Sequence, residues 1–430
     1  MQPIRYQRVD SAQAAVDAAT TQRGTFVAGG TSLIDLMKLG VMKLGVASPE
    51  VLIDINRLPL GQIENTPQGV RIGALVRNSD LAFHPQIEKE YPLLSESLLS
   101  GASPQVRNMA TVGGNLLQRT RCYYFRDTGS PCNKREPHSG CSALEGQQRI
   151  HAILGTSERC IATHPSDLCV ALCALDAVVH IKGPRGERAI PIAEFHVVPG
   201  DHPERESVLE PGELVLAVSL PPRKGYLQSR YIKVRDRASF AFALASAAAV
   251  LRLDQQEGPQ QGTVREARIA LGGVATKPWR SPEAEAVLIG QKPDRALFEK
   301  AAEAALAAAK PRAHNAFKVA LCKRTLVRGA MFSPASMRVL RRIRAVGNAA
   351  VAVPMRIPPG YTGGFGAETG MVEILSHTVD VQVSTPDLLL DGLELLVERS
   401  ENERLPVLAH PLRPAPPVAA SAEGDDEDVE

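Results

Sequence analysis

The segment QRTRCYYFRDTGSPCNKREPHSGCSALEGQQRIHAILGTSERCI, from Gln118 to Ile161, sets the expectations for the rest of the chain. It contains four of the seven cysteines, with the spacing C-x9-C-x8-C-x18-C. These are Cys122, Cys132, Cys141 and Cys160. A chain of 430 residues does not need a disulfide framework, so the clustering favours metal ligation.

The spacing leaves two kinds of metal site open. Zinc ribbons and knuckles use two tight C-x2–4-C pairs, which this segment lacks. A 4Fe–4S cluster can take its four thiolates from irregular positions. Nearby cations would offset the negative charge of either site, or would form a solvated face; they are Arg119, Arg121, Arg126, Lys134 and Arg135. His138, His151 and His164 are further ligand candidates by residue type alone.

Two glycine turns lie upstream of this segment, VAGGTSL (Val27–Leu33) and ATVGGNL (Ala110–Leu116). Glycine lets the backbone approach a ligand closely, and free N–H groups at a following helix attract phosphate. The sequence contains neither GxGxxG nor GxxxxGK[ST], so a Rossmann fingerprint and a P-loop are excluded. Two such turns predict a diphosphate site, with one turn for each phosphate.

Hydrophobic periodicity predicts an α+β protein with two domains and a tail. The first domain covers residues 1–225, with the cysteine segment inserted at about 118–161, and ends at a linker near Pro221-Pro222. The second, residues 226–328, reads as a three-stranded sheet backed by helices, with Lys233 as an exposed strand lysine. Residues 329–430 have no assigned fold, and their acidic end is expected to be disordered.

Shorter elements follow from local signals. Ser11 should cap the helix AQAAVDAATTQ, Asn78 or Ser79 should cap another, and Ser166 or Asp167 should begin the helix after His164. Residues 151–155 and 160–162 read as short strands. Cys169 and Cys173 lie four apart and should face the core together.

Composition excludes several function classes. The formal charge of +2 and the 4% aromatic content argue against nucleic-acid binding. No apolar run approaches the roughly 20 residues that span a bilayer. The N-terminal residues lack the pattern of a signal peptide. We therefore expect a cytoplasmic protein, or a periplasmic one exported together with a partner that bears a signal.

Four segments resemble the flavoprotein middle subunit of molybdenum hydroxylases, the xanthine dehydrogenase and carbon monoxide dehydrogenase family. They are VAGGTSLIDLMKLG, RNMATVGGNLLQRTRC, HPSDLCVALCALDA and YIKVRDRASFAFALAS. The likeness covers about residues 1–328. The cysteine segment is similar to that of periplasmic aldehyde oxidoreductases and 4-hydroxybenzoyl-CoA reductase, whose inserted loop carries a 4Fe–4S cluster.

The resemblance implies a two-subdomain FAD-binding fold of the PCMH or vanillyl-alcohol oxidase type, followed by a small α+β flavoprotein C-terminal domain. It implies that the first turn binds FAD through Val27, Ala28, Gly29, Gly30, Thr31, Ser32 and Leu33. The second turn would do so through Thr111, Gly113, Gly114 and Asn115. Asp167, Val215 and Lys233 would lie near the flavin, and the four cysteines of the segment would hold the 4Fe–4S cluster.

The implied complex is a heterotrimer that oxidises aldehydes to carboxylic acids. A large subunit would carry the molybdopterin cofactor and a small one two 2Fe–2S clusters. The FAD of this chain would pass electrons to oxygen, a quinone or a ferredoxin-like carrier. Two other functions stay open on the residues alone: a stand-alone flavin oxidase, and a zinc-stabilised nucleotide-binding module. Metal analysis would separate iron from zinc.

Two features depart from the family pattern. Met37–Val41 (MKLGV) is repeated directly as Met42–Val46, which would rotate or loop out the helix behind the first turn. The family's chains are expected to end soon after KRTLVR, whereas this sequence continues for about a hundred residues.

Overall fold

The computed structural model describes residues 4–41, 49–222, 227–237, 239–254, 262–331, 352–354 and 371–373. The second MKLGV copy and most of the tail lie outside these residues. The linker near 221–226 falls partly outside them, and the domain boundaries stay a prediction. In the tail, two short strands pair antiparallel across residues 352–354 and 371–373. Among the described helices, none has the length and apolar character needed to cross a membrane.

A small parallel sheet begins the chain. It is built from β1 (Arg5–Arg8), β2 (Gly24–Val27) and β3 (Val51–Asp54), in the order β1-β3-β2. Helix α1 (Ala12–Gln22) packs on it, and Ser11 Oγ accepts a hydrogen bond from the N–H of Ala14. The predicted cap and helix are confirmed. The first glycine turn follows β2 and leads into α2 (Leu33–Lys38).

A second sheet is antiparallel and has the order β4-β5-β8-β6-β7. Its strands are β4 (Ile63–Thr66), β5 (Gly69–Gly73), β6 (Val178–Gly183), β7 (Gly186–Pro191) and β8 (Leu214–Leu220). Short helices connect them: α3 (Asn78–Ala82), α4 (Pro85–Glu90), α5 (Pro92–Leu99), α6 (Pro104–Met109), α7 (Val112–Leu116), α8 (Tyr123–Arg126), α9 (Asp167–Ala174) and α10 (Ile192–Phe195). The main apolar core lies between this sheet and α5 and α9.

Three local predictions are resolved here. Ser166 Oγ caps α9 by accepting from the N–H of Cys169, and Cys169 and Cys173 are both buried in the core, as predicted. The predicted cap at Asn78 or Ser79 is wrong, because Arg77 holds the N-cap position of α3, and its side chain makes no capping hydrogen bond to that helix.

The predicted strands at 151–155 and 160–162 are also wrong. Only isolated bridges form there, Leu154 with Ala275 and Ser157 with Cys160. The backbone N–H groups of Ile153 and Leu154 both bond to the carbonyl of Val274, so no regular ladder can extend.

A third sheet has the order β12-β11-β10-β9 and is antiparallel. It contains β9 (Leu227–Val234), β10 (Ala245–Leu253), β11 (Val264–Gly272) and β12 (Trp279–Arg280). Helices α11 (Pro282–Leu288), α12 (Arg295–Leu306) and α13 (Phe317–Ala330) complete a second core. The predicted three-stranded sheet is corrected to four strands, because a two-residue strand is too short to leave a periodic pattern.

Candidate functional site

The two glycine turns touch each other. A Cβ atom added to Gly29 would lie 1.9 Å from the carbonyl oxygen of Met109, the last residue of α6, which directly precedes the second turn. Glycine is therefore required at this contact. Arg77 donates hydrogen bonds to the Met109 carbonyl and, at 3.3 Å, to Oδ1 of Asn56. Asn56 Nδ2 in turn donates to the carbonyl of Ala28 at 3.1 Å, so the side chains fix the distance between the turns.

A cavity of about 550 Å³ opens beside the turns. Six of the residues predicted from the sequence line it: Thr31, Ser32, Gly114, Asn115, Asp167 and Lys233. Its volume lies within the range of pockets that bind cofactors. Hydroxyl and amide groups stand beside the turns, and apolar side chains such as Leu98, Val106 and Leu168 form other parts of the wall. Such a lining fits a ligand with a phosphate portion and a planar aromatic portion, as FAD has.

Asp167 and Lys233 meet in the wall of this cavity. Lys233 Nζ donates to Oδ2 of Asp167 at 2.8 Å and to the carbonyl of Ser100 at 3.0 Å. The hydroxyl of Tyr231 donates to the other carboxylate oxygen at 2.5 Å. Burial lowers the pKa of Lys233, although the Asp167 carboxylate acts in the opposite direction. The expected exposed strand lysine is thus a correction: Lys233 is 3% exposed because α5 packs against β9.

The second turn is held by side-chain hydrogen bonds. Thr111 Oγ1 accepts from the N–H of Gly114 at 3.2 Å, which caps α7. A Cβ atom on Gly113 would lie 3.0 Å from the Cβ of Ala74, so glycine also permits this close packing. The hydroxyl of Ser166 donates to Oδ1 of Asn115 at 2.7 Å, which links the turn to the N-cap of α9.

The remaining predicted residues do not line the cavity. Seven of them belong to the two glycine turns and lie close in sequence to lining residues: Val27, Ala28, Gly29, Gly30, Leu33, Thr111 and Gly113. Val215 lies in β8, paired with Ile181 and buried in the main core. The structure does not bring it to the lining of this cavity, and its role near the flavin stays a prediction.

Sequence reasoning missed several residues of the lining. Asp35 lies one helical turn after Ser32, and Asn78 begins α3. The aromatic side chains of Tyr123, Phe240 and Phe242 stand exposed at the cavity. Their exposure at the cavity depends on the fold, so no local signal in the sequence indicates them.

The four cysteines of the Gln118–Ile161 segment lie together in one small cluster with Leu36, Phe125 and Ile161. Cys132 and Cys141 form a backbone bridge to each other. Burial raises the pKa of Cys122 to about 12, and the neighbouring Cys132 and Cys160 add to the shift. The structure therefore brings the four predicted ligands to one place, although they span 39 residues of sequence.

The spacing of their sulfur atoms distinguishes the two kinds of metal site. In the described part of the chain, the set of ligand atoms within 4.8 Å of one another is His164, Cys169 and His196, and no three of the four clustered cysteines meet that limit. A tetrahedral zinc site with Zn–S bonds of about 2.3 Å needs sulfurs roughly 3.8 Å apart. Thiolates that bind different irons of a cubane lie further apart than this limit, so the spacing is compatible with such a cluster.

The three candidate histidines take different positions. His151 is fully buried, with Nε2 3.1 Å from Sγ of Cys122. His138 is exposed. His164 lies against His196 and Cys169 instead of the cysteine cluster.

The cations of the segment are not a solvated face. Arg119 and Lys134 both pair with Glu206, and Lys134 is 9% exposed. Arg135 donates to the carbonyls of Tyr124 and Phe125, which fixes the backbone of the loop. Arg121 and Arg126 extend the other way, to Asp35 in the wall of the cavity.

Comparison with known proteins agrees with this geometry. The family model described as "FAD binding domain in molybdopterin dehydrogenase" matches residues 2–223, and that described as "CO dehydrogenase flavoprotein C-terminal domain" matches residues 230–331. The chain belongs to the family of FAD-binding subunits of molybdenum hydroxylases. It is therefore an FAD-binding subunit of an oxidoreductase, and the expected two-part α+β architecture is confirmed.

Individual members of the family give the same result. The chain is 50% identical over 329 residues to the aldehyde oxidoreductase FAD-binding subunit PaoB of Escherichia coli, covering 76% of this chain and 96% of that protein. It is 29% identical to the glyceraldehyde dehydrogenase medium chain of Sulfolobus acidocaldarius, over 67% and 81% of the two chains. Among solved structures, the carbon monoxide dehydrogenase of Hydrogenophaga pseudoflava matches with a TM-score of 0.57 and 27% identity, over 76% and 97% of the two chains.

Proposed function

We propose that this FAD-binding subunit also carries a 4Fe–4S cluster and serves as the electron-transfer subunit of a molybdenum-dependent aldehyde oxidoreductase. Support for the substrate class comes from two relatives whose names state it, the aldehyde oxidoreductase subunit PaoB and the glyceraldehyde dehydrogenase medium chain. The first of these aligns over nearly its whole length.

One observation carries the proposal. The cavity beside the glycine turns is lined both by the first turn, through Thr31 and Ser32, and by the cysteine loop, through Arg121 and Tyr123. Arg121 directly precedes Cys122 in the chain. A cluster held by the four cysteines would therefore lie beside the flavin site, as electron transfer between the two groups requires.

The reaction of the complex is proposed from the names of these two relatives. An aldehyde and water would give a carboxylic acid, two protons and two electrons at a molybdopterin cofactor in a large subunit. A small subunit with two 2Fe–2S clusters would pass the electrons to this chain. FAD can take up electrons one at a time from the clusters and pass one or two of them to an external acceptor. Of the chain's own residues, the paired glycine turns would hold the diphosphate, and the buried Asp167–Lys233 pair would lie near the flavin.

The electron acceptor and the compartment are proposed on separate grounds. The chain has no dinucleotide fingerprint, which favours oxygen, a quinone or a ferredoxin-like carrier over NAD. The compartment would be that of the partners: cytoplasmic, or periplasmic when one of them carries an export signal.

The two other functions have less support. A zinc-stabilised module requires four sulfurs closer together than the cysteine cluster holds them. A stand-alone oxidase requires a substrate-binding acid or base in the flavin cavity. There the buried carboxylate, Asp167, is already paired with Lys233 and Tyr231.

Co-expression of the full chain with its partner subunits tests the proposal. We expect the purified complex to contain FAD, molybdenum, iron and acid-labile sulfide, and to oxidise aldehydes with an artificial acceptor. Zinc in place of iron and sulfide would contradict the proposed cluster, and the absence of flavin would contradict the proposed function as a whole. A chain that purifies alone with bound FAD and oxidises a substrate without partners would support the stand-alone oxidase instead.

A further inference from the structure

Two arginines of the cysteine loop converge on one carboxylate of α2. Arg121 directly precedes Cys122, and Arg126 is the last residue of α8. Arg121 Nη1 lies 3.1 Å from Oδ2 of Asp35, and Arg126 Nη2 lies 2.7 Å from the same oxygen. The loop that holds the cysteines is thereby joined to the helix that follows the first glycine turn.

All three side chains line the flavin cavity next to Thr31 and Ser32 of that turn. The arginine side chains are 24% exposed, so each is largely withdrawn from solvent but still reaches the cavity. Arg121 also lies over the ring of Phe242, with its Cζ atom 4.9 Å from the ring centroid. This stacking fixes the plane of the guanidinium group against the cavity wall.

The charges of Arg121, Arg126 and Asp35 do not cancel. Two guanidinium cations share one carboxylate, which leaves one net positive charge in a partly buried place. Nε of Arg121 and Nη1 of Arg126 are buried without a hydrogen-bond partner among the described residues. A further anion at this place would relieve the repulsion between the two cations.

The proposed FAD site supplies such an anion, since the diphosphate of FAD carries two negative charges. We infer that Arg121 and Arg126 bind the diphosphate of FAD, so that the cysteine loop itself forms part of the flavin site. Guanidinium groups bind phosphate oxygens through paired, charge-assisted hydrogen bonds. The inference rests on the proposed function for the cluster and on the predicted diphosphate position at the glycine turns.

The arrangement couples the two cofactors. Arg121 and Arg126 belong to the loop whose cysteines would bind the cluster, so the cluster would also fix the positions of the two arginines. Because coupling between two binding sites is reciprocal, a cluster that orders this loop raises the affinity for FAD, and bound FAD stabilises the loop.

Flavin exchange in the full complex tests the arginine contacts. We would remove the flavin from the wild type, Arg121→Gln and Arg126→Gln and measure the affinities for FAD, ADP and riboflavin by titration. A charge-assisted hydrogen bond contributes about 1.5–3 kcal/mol, so each variant should lose roughly 10- to 100-fold in affinity for FAD. The affinity for ADP should fall in parallel. The affinity for riboflavin, which has no phosphate, should equal that of the wild type. Iron content reports whether the loop still folds.

Two further variants separate binding from a purely structural tie. Asp35→Asn removes the carboxylate but keeps both cations, so FAD affinity should stay the same or rise. If the arginines only anchor the loop to α2, Asp35→Asn should lower the affinity for FAD as much as Arg121→Gln does. Arg295→Gln, on an exposed position of α12, is the matched control for loss of one positive charge.

The inference is overturned if the affinity of Arg121→Gln and Arg126→Gln for FAD stays within twofold of the wild-type value. It is also overturned if their affinity for riboflavin falls as much as their affinity for FAD. Both outcomes leave the proposed function intact, because the wild type would still contain flavin and iron. A wild-type complex without flavin would instead contradict the proposed function.

Discussion

Nζ of Lys233 lies 2.8 Å from Oδ2 of Asp167, which joins β9 of the third sheet to the first residue of α9. The Lys233 side chain is 1% exposed and the Asp167 side chain 11%. A charge buried to this degree needs its partner, since an unpaired ion in the interior costs several kcal/mol. This ion pair in the wall of the flavin cavity therefore also contributes to the stability of the fold.

Removal of one partner should destabilise the chain strongly. We expect Asp167→Asn to cost about 3–5 kcal/mol of unfolding free energy, because it leaves the Lys233 cation buried beside a neutral amide. Asp167→Asn combined with Lys233→Met should cost less than the sum of the two single variants. Urea titrations of the four proteins measure the coupling, and strictly additive losses would contradict the pairing.

A methyl group on Gly29 should separate the two glycine turns. The added Cβ would overlap the Met109 carbonyl, which cannot move without displacing the second turn. We expect Gly29→Ala to lower FAD affinity by more than tenfold. Gly61→Ala is the matched control, since nothing lies within 4 Å of the Cβ it adds, and it should change stability by less than about 0.5 kcal/mol. Equal flavin content in both variants would refute the contact between the turns.

Acid should weaken the first sheet through Asp54. Burial raises the pKa of this carboxyl group, but hydrogen bonds from the Tyr6 hydroxyl, from Asn56 and from Arg8 outweigh it and hold the pKa well below its usual range. A carboxyl group whose pKa is depressed in the folded state stabilises the fold above its unfolded pKa of about 3.9 and loses that contribution as the pH falls further.

The Asp54 carboxylate should thus be fully effective at pH 7 and lose its effect below about pH 4. Asp54→Asn should be less stable than the wild type at pH 7 by about 1–3 kcal/mol, since it loses charge-assisted hydrogen bonds. The difference should shrink between pH 4 and pH 2. Urea unfolding at several pH values checks this, and a constant difference across that range would exclude the carboxylate as the cause.

The sequence predicts the elements of this fold better than their contacts. The cap at Ser11, the helix after Ser166 and the glycine turns all follow from local patterns, because a cap or a tight turn depends on neighbouring residues. The burial of Lys233 depends on α5, which is more than 130 residues away in sequence, so no local pattern reveals it. The same holds for Arg121, whose partner Asp35 lies 86 residues upstream.

The cysteine segment illustrates the same limit within the site. Its composition predicts ligands, and the structure gathers all four of them. Its backbone was misassigned at residues 151–155 and 160–162, because side chains and isolated bridges hold it in place of a sheet. Patterns of period two or 3.6 carry no information about a loop whose shape is set by groups it binds or buries.

Loss of one clustered cysteine should remove the whole cluster. Cys132 is buried and bridges Cys141, so Cys132→Ala deletes a ligand from the centre of the loop. We expect the purified complex to lose about four iron atoms and four sulfides, since a cubane that misses one thiolate is no longer held. Cys173→Ala removes another buried cysteine, 1% exposed against 6% for Cys132, from α9 and should keep the iron at the wild-type level. Iron and sulfide assays of anaerobically purified complexes make the comparison, and an iron content that Cys132→Ala leaves unchanged would show that these thiolates hold no cluster.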